Sequence, residues 1–98
     1  MIRKLRIGGR DAVEVTFVWV GQEFEGDIFV AGDFNDWDPT ATPLQPLEGR
    51  YEARIVVLPG RHPFRYYSGG SWFNDPAADD YGPNEFSGLN GIVDTTRS

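Results

Sequence analysis

Hydrophobic and polar positions alternate along most of this chain. Val13, Val15, Phe17 and Trp19 fall on one face of an extended segment. Residues 27–31 read as a short apolar strand, with Ile28 and Val30 on one face and Phe29 and Ala31 on the other. Tyr51, Ala53, Ile55 and Val57 alternate with Glu52, Arg54 and Val56. Residues 62–67 and 91–95 give further strands, and residues 2–7 add one near the N-terminus. A period of two marks a strand with one buried face, and no window sustains the 3.6-residue period of a helix. Turn chemistry separates the runs, at Gly21, Gly26, Asp38-Pro39, Glu48-Gly49, Pro59-Gly60, Gly69-Gly70 and Gly82-Pro83. About seven short strands with frequent turns predict an all-β, antiparallel two-sheet sandwich. Residues 76–89 lack periodicity and are rich in Asp, Gly and Asn, so they read as one long loop, a place where function often sits.

Size and charge narrow the functional classes. The chain has 98 residues, which sets a single domain, residues 1–98, as the expectation. A domain this small needs an efficient core, and 14% aromatic residues supply one. There are no cysteines, so disulfides and thiolate metal sites are excluded. The formal net charge of −6 argues against nucleic acid and against phosphorylated substrates. No apolar stretch approaches the roughly 20 residues that span a bilayer, and the first residues lack the apolar core of a secretion signal. The expectation is a soluble, cytoplasmic domain with a neutral ligand or a protein partner, with no cofactor, no membrane and no nucleic acid.

One hairpin can be built residue by residue. With Gly69-Gly70 as a two-residue turn, Ser68 faces Ser71, Tyr67 faces Trp72, Tyr66 faces Phe73 and Arg65 faces Asn74. Opposed residues share a side of the sheet, and sides alternate. Phe64, Tyr66 and Phe73 therefore suit the core. Arg65, Tyr67, Trp72 and Asn74 form a mixed aromatic and polar face that suits a solvent-facing platform. A one-residue slip would exchange the two sets, and Trp72 also suits a cap on the sandwich edge.

A second tryptophan follows a polar turn in GDFNDW, residues 32–37. Phe34 is expected to plug the end of the core. Asp33, Asn35 and Asp36 suit turn amides through their own side chains. Trp37 is open to either role, core ring or exposed ring. Two flat rings beside hydrogen-bonding groups fit a carbohydrate, which offers an apolar C–H face and a rim of hydroxyls.

Enzymatic groupings are hard to assemble. His62, beside Pro63, reads as a turn residue rather than a base. Ser71 lacks a nucleophile elbow and a histidine partner. The carboxylates Asp33, Asp36, Asp38, Asp75, Asp79 and Asp80 fall in loops, whereas a glycosidase holds two across a cleft. Their spacing also departs from an EF-hand calcium loop.

GDFNDW, then Pro43-Leu44, LPGRHPFRYYSGGSWFNDP (58–76), Asp80-Tyr81-Gly82 and Asn90-Gly91-Ile92-Val93 occur in one order and spacing. In these motifs, over roughly residues 13–95, the chain resembles carbohydrate-binding module family 48. That family includes the glycogen-binding domain of the AMP-activated protein kinase β subunit and the N-terminal early-set domains of isoamylases and branching enzymes. The resemblance implies an immunoglobulin-like, early-set sandwich that binds α-1,4-glucan without catalysis. It implies that Trp37 and Trp72 stack on glucose units, that Arg65 stands where the family has lysine, and that Asn90 stands for its asparagine. Phe86 stands for the leucine that wedges against the sugar, and Gly88 replaces a threonine, removing one side-chain contact. Tyr67 and Asn74 join the site from the hairpin pairing. The rival expectation is an early-set scaffold that packs on an α-glucan-active enzyme and binds no sugar.

Overall fold

A computed structural model describes residues 2–6, 12–20, 24, 26–84 and 88–96. These form nine strands: β1 Ile2–Arg6, β2 Val13–Val20, β3 Phe29–Gly32, β4 Gln45–Leu47, β5 Arg50–Val57, β6 Arg61–Ser68, β7 Ser71–Phe73, β8 Asp80–Pro83 and β9 Leu89–Asp94. One sheet runs β1-β2-β5-β4 and the other β3-β6-β9-β8, with β7 added to β6. Every pairing is antiparallel. The two-sheet antiparallel sandwich is as the alternation predicted, and it is immunoglobulin-like, as the resemblance implied.

The core is built from the predicted inward faces. Val13, Val15 and Phe17 of β2, Ile28 and Val30, and Phe64 and Tyr66 of β6 are all buried. Phe17 sits at the centre, with ring centroids 4.9 Å from Phe64 and 5.6 Å from Phe34. A second aromatic cluster joins Trp19 to Tyr66 and Phe73 at 5.1 and 5.8 Å. Each large ring buried this way contributes on the order of 2–3 kcal/mol, which is how a small sandwich holds together.

Two strands lie where none was expected. β8 falls inside the stretch read as a long loop, and β4 follows Pro43-Leu44. Both are sheet edges, both are short, and each contains a proline, Pro83 and Pro46. An edge strand tolerates a residue without N–H, and its exposure removes the alternation that betrays a strand. Gly82-Pro83 is therefore strand, not turn.

Candidate functional site

β6 is the strand that organises the open face of the second sheet. β3 pairs along one edge, from Phe29↔Tyr67 to Gly32↔Phe64. The other edge is shared: β9 pairs with residues 61–64 and β7 with residues 66–68. Arg65 lies at the handover. There β9 has reached only Gly91, opposite Phe64, and β7 ends with Phe73, opposite Tyr66. Asn74 follows β7 directly, and Asn90 is next to Gly91. The break in the ladder is a notch, with Arg65 on one side and Asn74 and Asn90 on the other.

The hairpin that supplies Trp72 has the expected register, Tyr67↔Trp72 and Ser68↔Ser71. Gly69 and Gly70 both take positive φ, 58° and 83°, the geometry of a tight turn whose twist matches the strands. Phe64 and Tyr66 turn inward, so Arg65 and Tyr67 turn outward. The Tyr67 and Trp72 rings lie 4.8 Å apart at 57°. Trp72 retains 38% of its surface in solvent. The hairpin is anchored twice: Ser68 Oγ donates to the Asp27 carbonyl at 2.9 Å, and Tyr66 Oη donates to Asp75 at 2.7 Å.

Arg65 and Asn74 are each held at one end. Arg65 Nη2 makes a long 3.4 Å contact to the Trp72 carbonyl, and Asn74 Nδ2 donates to the Leu89 carbonyl at 3.0 Å. Arg65 Nε and Asn74 Oδ1 are buried with no hydrogen-bond partner among the described residues. Asn90 Oδ1 accepts from Asn84 Nδ2 at 3.4 Å. Asn84 and Gly88 exchange backbone and side-chain hydrogen bonds that close the β8–β9 connection. Phe86 lies outside the described residues.

Trp37 is delivered by a different device. A 3-10 turn, Asp33–Asn35, follows β3. Asn35 locks it: its Oδ1 accepts from Gly32 N, and its Nδ2 donates to Val30 O and Thr42 Oγ, each at 3.0 Å. Phe34 packs on the core, as expected. Asp36 and Trp37 both adopt φ of 57°, and Trp37 N donates to Gly32 O at 2.9 Å. Left-handed backbone costs an L-residue roughly 1–2 kcal/mol. A bulky aromatic held there is strained, and strain of this kind gathers at functional sites. Trp37 itself is half-buried. Its backbone stands beside Gly32, on the β3 side of β6, whereas Trp72 stands on the β7 side. Trp19, the third tryptophan, belongs to the core.

Several polar residues have roles the sequence concealed. His62 is the second residue of β6, within the strand read over residues 62–67. Its Nδ1 faces the Asp33 carboxylate at 3.0 Å and its Nε2 faces the Leu58 carbonyl at 2.7 Å. Both ring nitrogens are thus engaged in fastening the 3-10 turn and the β5–β6 connection. Asp33 serves this contact instead of a turn amide. Asp75, expected in a loop with the other carboxylates, is fully buried. It accepts from Tyr66 Oη and from Ala77 N, and Tyr81 Oη donates to its backbone carbonyl. Burial first, then the neighbouring Asp75 charge, pushes the Tyr66 hydroxyl well above its ordinary pKa. Asp79 pairs with Lys4 at 2.7 Å and Asp80 with Arg61 at 2.7 Å. Asp38 binds the Thr40 amide and hydroxyl, which lowers its pKa. No group of three His, Asp or Glu residues suited to a metal occurs among the described residues. No helix among them is long and apolar enough to cross a membrane.

No protein-family model matches the chain. A 51-residue stretch is 29% identical to subunit beta-2 of 5'-AMP-activated protein kinase from Mus musculus, Rattus norvegicus and Homo sapiens. The stretch covers 52% of this chain and 18% of each of those subunits. The chain is thus distantly similar to a fraction of that subunit.

Proposed function

We propose that this chain is a noncatalytic α-glucan-binding module, for glycogen, starch or malto-oligosaccharides. The observation that carries the reading is the Tyr67–Trp72 pair, two rings in contact on the outward face of β6 and β7, with Trp72 open to solvent. An exposed indole presents a flat apolar surface that a pyranose ring can cover. Trp37, strained beside β3, supplies the second ring. Arg65, Asn74 and Asn90 at the notch read hydroxyls between them. The similarity to the kinase β subunits, and the family motifs along the chain, lend the same support. Phe86 joins this proposal on the motif alone.

An open platform leaves much of a ligand wet, so a dissociation constant of roughly micromolar to millimolar is expected, about −8 to −4 kcal/mol. Titration with maltoheptaose, followed by tryptophan fluorescence, should saturate. Trp72→Ala should remove the response, and the double variant with Trp37→Ala should lose retention on a glycogen gel while unfolding normally. Binding that survives the double change defeats the platform assignment.

A second reading has its own observation. Strands β1, β2, β4 and β5 carry Arg3, Lys4, Arg6, Arg50 and Arg54 against Glu14 and Glu52. Their sheet is thus positive in a chain of net charge −6. Its outer surface also exposes Leu5 and Val56, which flank Glu14 across three strands. That pattern favours a scaffold docked on an enzyme through the first sheet. A pull-down with and without added glucan separates the two readings.

A further inference from the structure

Strand β5 is paired along its whole length on one side and along less than half of it on the other. β2 covers residues 50–57, but β4 covers only residues 50–52. The chain before β4 is engaged elsewhere. Val30 N donates to Thr42 O at 3.0 Å, Leu44 N donates to Ile28 O at 2.8 Å, and Pro43 bridges to Phe29. Residues 42–44 thus extend the second sheet, and the chain joins the first only at Gln45. Residues 53–57 of β5 are left with a bare edge. Which backbone groups point there follows from the hairpin. Glu48-Gly49 is a two-residue turn, so Leu47 and Arg50 exchange backbone hydrogen bonds. Pro46, which has no N–H, lies opposite Tyr51, at a pair that needs none. The register runs without a bulge from residue 50 to residue 57, so the sides alternate. Tyr51, Ala53, Ile55 and Val57 bond to β2, whereas Arg54 and Val56 turn their N–H and C=O to the bare edge. Neither makes a hydrogen bond there among the described residues. Val56 is 56% exposed. A cavity of about 420 Å³ opens at the start of this edge, with Ala53 and Arg54 on one wall and Thr42 and Pro43 on the other.

We propose that this edge receives an extended, acidic segment of a partner protein, which adds to the first sheet as a strand in line with β4. Unpaired N–H and C=O groups along a sheet edge are a template for such addition. The outer face sets the charge of the partner. Arg54, exposed, stands in a row with Thr16 and Arg3. Neither arginine has an ion pair among the described residues. Glu52, the next residue on that face of β5, is held by Arg50 at 3.6 Å. A carboxylate on the incoming strand opposite Arg54 supplies the missing cross-strand partner. A second copy of the chain is the poorer occupant, because residues 53–57 contain no carboxylate of their own. The register of β4, carried past Gln45, gives the order of residues. The segment runs antiparallel to β5, with an apolar residue opposite Val56, another opposite Ile55, and Asp or Glu opposite Arg54. The residues opposite Arg54 and Val56 form hydrogen-bonded pairs with β5, and the one between them points inward. The site uses no residue of the tryptophan platform, so it stands independently of the glucan reading.

The test begins with the free chain, dilute and labelled with nitrogen-15. In hydrogen exchange the Arg54 and Val56 amides should be lost quickly, and those of Ala53 and Ile55 slowly. The probe is the peptide acetyl-Ser-Ile-Val-Glu-Ser-amide. It should shift the Arg54 and Val56 amide signals saturably, with a dissociation constant of roughly a millimolar or tighter. Lysine in place of the peptide's glutamate should weaken binding about fivefold. Methylation of the isoleucine and glutamate nitrogens of the peptide should abolish it. Val56→Pro removes an edge donor while sparing the β2 ladder, and should also abolish it. Arg54→Glu should reverse the preference and favour the lysine peptide. The inference is overturned if the Arg54 and Val56 amides are already protected in the dilute free chain, if the glutamate peptide leaves them unmoved, or if the methylated peptide binds as well as its parent. Protection that grows with protein concentration assigns the edge to a second copy and overturns the acidic partner.

Discussion

The chain presents its two surface tryptophans by opposite means. Trp72 stands on a hairpin whose geometry is local: two glycines with positive φ, three rungs of pairing, and a neighbour, Tyr67, directly across. Trp37 stands on a turn whose geometry is tertiary. Asn35 reaches back to β3 and across to Thr42, His62 of β6 grips Asp33, and two non-glycine residues are held left-handed. A hairpin needs only its own residues to agree. The turn is imposed from outside, and the strain at Trp37 is sustained only while those outside contacts last.

That contrast predicts unequal sensitivity. The largest effect is expected at Gly32, where the turn leaves β3. A Cβ there would come within 2.5 Å of the Phe34 ring and 2.6 Å of the Pro63 carbonyl. Gly32→Ala should cost about 3 kcal/mol in urea unfolding, because backbone cannot yield as a flexible side chain does. Asn35→Ala, which removes three hydrogen bonds and leaves Gly32 N and Val30 O to find water, should cost about 2 kcal/mol. It should also disturb the Trp37 signal while leaving that of Trp72 in place. A protein that loses both signals together would erase the distinction between the two regions.

The hairpin has two anchors of its own, Ser68 to the Asp27 carbonyl and, nearer in sequence, Tyr66 to Asp75. Tyr66→Phe leaves a buried carboxylate short of a donor and should cost about 1–2 kcal/mol. The same bond sets a pH dependence. The unfolded chain releases this phenolic proton near pH 10, and the folded chain holds it to higher pH. The contribution of Tyr66 is therefore complete below pH 10 and is lost as pH rises through the folded value. Denaturation at alkaline pH should show this loss, and Tyr66→Phe should abolish it. The smallest effect is expected at the hairpin tip. Gly70→Ala meets nothing within 4 Å but must accept a φ of 83°, at a cost of about 1 kcal/mol. A cost at Gly70 equal to that at Gly32 would show that the hairpin, too, is held from outside.

The same division separates what could be read from the chain. The inward faces of β2 and β6 were legible because a period of two leaves little choice once one side must be apolar. Gly69-Gly70 fixed the register of β6 and β7, and with it the outward placement of Arg65, Tyr67 and Trp72. β4 and β8 were hidden, since edge strands with a proline neither alternate nor bury much. Asp75 lies in a loop as read, but its burial was hidden, because nothing local says that Tyr66, nine residues earlier, will close over it. The fastening role of His62, at the start of a strand read correctly, was hidden because its partner, Asp33, is 29 positions away.

By itself, then, the sequence determined the sandwich, its core and the exposed ring at the hairpin, all consequences of alternation and of glycine at a turn. Tertiary structure alone decided the notch. It arises because β7 and β9, separated by β8, share one edge of β6 and stop short of each other at Arg65. The atoms left unpaired there, Arg65 Nε and Asn74 Oδ1, are products of where two strands end in space, a quantity that hydrogen bonding between distant segments sets and local patterning does not encode.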